Sequence, residues 1–148
     1  LTFHMSHPVV AHQRPSSVLE AYALELFFKA LLLKEKAAKE SGHDLEQLFG
    51  KLPEDTKKAI QNRYENAPSD YLKTRSMMLE KFGVPAGFTE RLSLSRDVFM
   101  DHRYQYESNE KGKHNLLSEI LYSTRDYIED SYEYWIREYS PNFEKSKR

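Results

Sequence analysis

Several side chains in this sequence are of types and spacings that could do chemistry, and the first of them lie in its first third. Glu25 and Lys29 lie four apart, acid first, inside an otherwise apolar run. On a helix that order puts opposite charges on one face. The pair can brace the fold as an ion pair or grip a ligand, and structure is the simpler reading. His43 and Asp44 follow Gly42 at the restart of a helical pattern. They too can be ligand-pairing, but the restart reads first as a cap, with Asp44 accepting from orphan amides and His43 packing at the turn. His4, His7 and His12 lack the four-residue spacing and the accompanying carboxylate of a helical metal site, so no metal and no other cofactor is expected. Tyr122, Tyr127, Tyr132, Tyr134, Trp135 and Tyr139 can stack on nucleobases. On an amphipathic helix such a series more often serves a core or a dimer interface.

These groups need a scaffold, and the pattern supplies helices. The run from Val18 to Leu33 is apolar almost all round, broken by Glu20, Glu25 and Lys29. Such a helix is expected to be enclosed by others. Pro15 reads as a break before it, Ser17 with Glu20 as a capping box, and Ser41-Gly42 as its end, with Gly42 left-handed. The helix therefore spans about 17–40. Asp44 with Gln47 opens a short helix, Pro53 with Glu54 and Asp55 a third at whose first position Pro fits, and Pro68-Ser69-Asp70 a fourth stopped at Gly83. Phe88 to Glu107 reads as largely helical, Ser108 to Lys113 as a loop, and Leu116 to Ile136 as a long amphipathic helix ended by Pro141.

The totals agree. The 148 residues are 39% hydrophobic and 30% charged, and five Gly with six Pro leave little room for the turns of an all-β domain. The net charge of −1 carries no broad basic footprint for non-specific nucleic-acid binding. The chain has no Cys, which rules out disulfides and thiolate-held metals and suits the cytoplasm. Lys29 and Lys34 cut the densest apolar stretch far short of a membrane span. One all-α domain over 1–148 is expected, with 1–14 read as the remnant of a preceding helix and 142–148 as a charged tail.

The order of these segments resembles a known family. Ala23-Leu24-Glu25-Leu26-Phe27-Phe28-Lys29-Ala30-Leu31-Leu32, then Gly42-His43-Asp44-Leu45 with Leu48-Phe49 and Leu52, is similar to the HEPN domains, the higher eukaryotes and prokaryotes nucleotide-binding family. Phe99-x-x-x-Arg103-Tyr104-x-Tyr106-Glu107 looks like the later helix of bacterial members. The resemblance covers roughly 15–135. It implies an antiparallel four-helix core with additional short helices, homodimers or paired domains, and often a ribonuclease site at the dimer cleft. Many catalytic members carry an Arg, a polar residue directly after it, and a His separated from the Arg by four to six positions, which Arg96, Asp97 and His102 match.

The resemblance implies a metal-independent endoribonuclease or RNA-binding component of a stress, defence or toxin–antitoxin system. His102 would exchange the ribose 2′-hydroxyl proton, Arg96 would stabilise the phosphate, and Asp97 would orient. Arg103, Tyr104, Tyr106 and Glu107 would surround that site or brace the last helix. On one straight helix Arg96 and His102 stand roughly 120° apart, so a bend or a dimer partner must bring them together. The other reading is a non-catalytic HEPN-like module that dimerises and binds a protein partner or nucleotide.

Overall fold

The structure, a computed structural model, describes residues 8–95 and 117–133, with side chains from Val18 onward. Among them every regular element is an α-helix. The first, α1, spans Pro8–Lys36. Pro8 opens it, where a missing amide proton costs nothing. The break expected at Pro15 does not occur, because α1 runs through it. Proline inside a helix costs about 3 kcal/mol, which a helix this long and well packed offsets. Ser17 is therefore no helix start, and Glu20 accepts instead from Ser118 Oγ at 2.9 Å.

The exit of α1 also differs from the expected one. The helix ends at Lys36, and Ala37 rather than Gly42 takes the left-handed conformation, at φ 52°. That turn lets the Ala38 amide reach the Leu32 carbonyl at 3.2 Å. Beyond it, α2 spans Leu45–Gly50, with the Asp44 carboxylate accepting from the Gln47 amide at 3.0 Å, the cap the sequence foreshadows. Helix α3 spans Glu54–Glu65, Pro53 standing at its N-cap, one residue before the expected first position. Helix α4 spans Ser69–Phe82 and stops at Gly83, whose φ of 64° suits a residue without Cβ. Helix α5 spans Phe88–Leu94, and α6 spans Ser118–Ser131.

Packing follows the periodicity. Helix α1 lies against α2 and α6, α6 against α3, and α5 closes over α2 and α3. Leu24, Phe28, Leu31 and Leu32 of α1 are fully buried, as are Leu45, Ile60, Leu117 and Ile120. Burying each such side chain is worth about 1.5–3 kcal/mol. An aromatic file crosses this core, Phe28 to Phe49 to Phe88 to Tyr64, with centroids 5.5, 4.9 and 5.4 Å apart.

The all-round apolar surface of α1 does not become all-round burial. Leu19, Tyr22, Leu26 and Leu33 share one side of the helix and are 67%, 52%, 48% and 60% exposed. Helices α2 and α6 occupy the other side, so composition alone overstates how far α1 is enclosed. Helix α4 is the other departure, since Arg75 is its buried residue while Leu72, Leu79 and Phe82 stand exposed.

Candidate functional site

Three polar clusters are built into the described helices. The first joins residues read from the sequence. Glu25 is 3% exposed on α1, and its Oε1 accepts from Lys29 Nζ at 2.6 Å and meets His43 Nδ1 at 3.0 Å. The i, i+4 spacing makes the first contact, and the Asp44 cap fixes the turn that brings His43 over α1. His43 does not pack into the turn as expected: its side chain is 74% exposed, with the ring leaning on a buried carboxylate. Asp44 itself serves the cap. Of the four residues, three converge and one holds the backbone that makes them do so.

The second cluster ties α1 to α3 and α6. Glu35 Oε2 accepts from Thr56 Oγ1 at 2.7 Å, and its Oε1 accepts from the Tyr127 and Tyr132 hydroxyls at 2.9 and 2.7 Å. Two of the tyrosines considered for base stacking are thus spent on a structural carboxylate. Nothing in the local pattern marks Glu35, which lies in the polar last turn of α1.

The third cluster is the most buried. Glu119 at the start of α6 sits between Arg75 of α4 and Arg91 of α5. Its Oε2 accepts from Arg75 Nε at 2.5 Å and its Oε1 from Arg91 Nη1 at 3.1 Å. The arginine side chains are 7% and 3% exposed and the glutamate side chain 12%. Arg75 Nη2 also donates to the Tyr64 carbonyl, and Arg91 Nε to that of Pro85 at 2.7 Å. The Arg75 guanidinium lies 3.7 Å from the centre of the Tyr64 ring, a cation–π contact. Burial pushes the Tyr64 phenol above its ordinary value, and the two guanidinium charges pull partly against that. Its hydroxyl donates to the Ala86 carbonyl at 2.8 Å.

Sequence reasoning missed this cluster. The available signal was a charge on an apolar helical face: Arg91 stands three after Phe88 and one before Leu92. Its partners lie 16 and 28 positions away, and no spacing rule connects them.

One side of the third cluster opens into a cleft of about 840 Å³ between the end of α3, the start of α4 and the outer face of α6. Arg75 and Glu119 are the buried part of its lining, Tyr71 and Tyr122 its exposed aromatic part, and Asn62 and Asn66 line it from the end of α3. Arg63 pairs with Asp130 at 2.8 Å, and Arg125 with Asp126 at 2.7 Å while lying over the Tyr122 ring. The cleft surface therefore alternates in sign, with amides and a serine, Ser123, between the charges.

Arg96, Asp97 and His102, and the surrounding Arg103, Tyr104, Tyr106 and Glu107, lie outside the described residues, as do Tyr134, Trp135, Tyr139, His4, His7 and the side chain of His12. Among the described residues no group of His, Asp or Glu is arranged to hold a metal ion, and no helix is long and apolar enough to cross a membrane. The chain matches no family model, no curated protein and no solved structure.

Proposed function

We propose that the chain is a HEPN-like helical domain, built on an antiparallel four-helix core, that works as a homodimeric binding module and receives a protein partner in the cleft between α3, α4 and α6. The observation that carries this reading is the cleft: about 840 Å³, walled by three helices, with paired charges of both signs, two Asn amides and two tyrosines. A surface balanced in this way suits a polypeptide better than a nucleic-acid backbone, which calls for excess cations. Support for self-association comes from α1, where Leu19, Tyr22, Leu26 and Leu33 form one exposed apolar stripe. Light scattering should give twice 17.5 kDa, with Leu26→Lys shifting the chain to a monomer. A monomer in the unsubstituted chain would remove the dimer from the reading. A partner co-purified with the chain should be lost on Tyr122→Ala with helicity unchanged, and retention would move the binding surface elsewhere.

A second reading rests on Arg96, Asp97 and His102. Arg96 follows Ser95, which is buried one turn beyond the Arg91 of the arginine–glutamate cluster. In this reading His102 exchanges the 2′-hydroxyl proton and Arg96 stabilises the phosphate, with no metal needed. It expects RNA cleavage in EDTA that leaves a cyclic phosphate and disappears in both Arg96→Ala and His102→Ala. Pure protein that leaves RNA intact, or full activity in His102→Ala, would dispose of it.

A further inference from the structure

The third cluster holds more positive charge than its one carboxylate neutralises. Arg75 and Arg91 are both more than nine-tenths buried, and both point at Glu119. The other carboxylates of the cleft are engaged elsewhere, Asp130 by Arg63 and Asp126 by Arg125. One buried guanidinium charge is thus left over among the described residues, and an uncompensated buried charge is costly. Hydrogen bonding repeats the imbalance. Arg91 Nη2 is buried without a partner. Arg75 commits Nε to Glu119 and Nη2 to the Tyr64 carbonyl, which leaves Nη1 without a hydrogen bond yet accessible, on a side chain that lines the cleft.

We infer that the cleft is a receptor for a single carboxylate, seated on Arg75 Nη1 with its apolar neighbour between Tyr71 and Tyr122. This deepens the binding reading above and rests on it. One added negative charge cancels the surplus, and a carboxylate oxygen is the natural acceptor for a guanidinium edge. Asn62, Asn66 and Ser123 can bond the atoms beside it. A phosphate monoester fits less well, because the cluster has one surplus positive charge and nothing left to match a second negative one. The carboxylate can come from a free organic acid or from the C-terminus of a polypeptide.

The test is an NMR titration of the full chain with phenylacetate, phenylacetamide and phenyl phosphate, each to about 50 mM, far enough to see millimolar affinity. Phenylacetate should shift Arg75 and the cleft amides saturably, with the amide and the phosphate at least tenfold weaker. An N-acetylated dipeptide ending in Tyr, free or amidated at its C-terminus, separates the sources. Tighter binding of the free-acid peptide than of phenylacetate indicates a chain terminus, and equal binding a small acid. Arg75→Lys should weaken phenylacetate about tenfold, a change of about 1.4 kcal/mol. Asn62→Asp, at an exposed position, should weaken it several-fold without touching the buried cluster. Equal binding of acid and amide would overturn the carboxylate assignment while leaving the cleft a binding surface. No response to phenylacetate would overturn the assignment directly, while the co-purification test with Tyr122→Ala judges the parent reading separately.

Discussion

Replacing Glu119 by Gln changes few atoms and removes the anion that two buried guanidinium groups share. The glutamine keeps one carbonyl acceptor but presents an amide NH2 to the other arginine, so both hydrogen bonds cannot survive. Because the arginine side chains are 7% and 3% exposed, water can take over only in part, from the cleft side at Arg75. Removing one partner of a buried ion pair costs about 3–5 kcal/mol, a large share of the roughly 5–15 kcal/mol that holds a domain together. For a chain of this size each kcal/mol lowers Tm by about 2–4 °C, so the loss is about 6–20 °C. Urea unfolding followed by circular dichroism should show a lower midpoint at unchanged slope. Arg91→Met supplies the internal contrast. It removes the surplus charge and the orphaned Nη2 together and leaves Arg75 and Glu119 paired one to one. Its cost should stay below about 2 kcal/mol, mostly from the stranded Pro85 carbonyl. A loss under about 1 kcal/mol for Glu119→Gln, or a larger loss for Arg91→Met than for Glu119→Gln, would refute the reasoning about charge imbalance.

Further outcomes are expected. Ala37→Gly should raise stability by about 0.5–1 kcal/mol, since Ala37 holds φ 52° against its Cβ; Gly83→Ala should lower it by about 1 kcal/mol at φ 64°. Both changes are readable in Tm. Tyr64 should be among the last phenols to ionise at 295 nm. Its folded value is raised, so the stability tied to the neutral phenol is intact below the ordinary value of 10.0 and is lost as pH climbs through the folded one. A titration unchanged by Tyr64→Phe at its alkaline end would contradict this. Glu25→Ala should cost about 1–3 kcal/mol by removing the acceptor that Lys29 and His43 share, whereas His43→Ala, with a side chain 74% exposed, should cost under about 1 kcal/mol. Equal costs would mean that the imidazole, not the carboxylate, organises the cluster.

Local features of this chain were legible because their causes are local. Asp44 caps α2 because its carboxylate reaches an amide three residues away, and Glu25 meets Lys29 because a helix brings every fourth residue to one face. The helical class, the inner face of Ile60 and Tyr64 and the stop at Gly83 follow from period and propensity. Helix ends near Pro15 and Gly42 misled, since a breaker weighs about 3 kcal/mol or less and tertiary packing can exceed that. Which side of α1 is buried was decided by where α2 and α6 lie, as an all-round apolar helix carries no record of its neighbours. The same holds for the cleft. Arg75, Arg91 and Glu119 come from three helices, and only folding brings two cations onto one buried carboxylate. Residues four apart are made neighbours by the helix itself, whereas residues 16 to 44 apart become neighbours only through the packing of the whole.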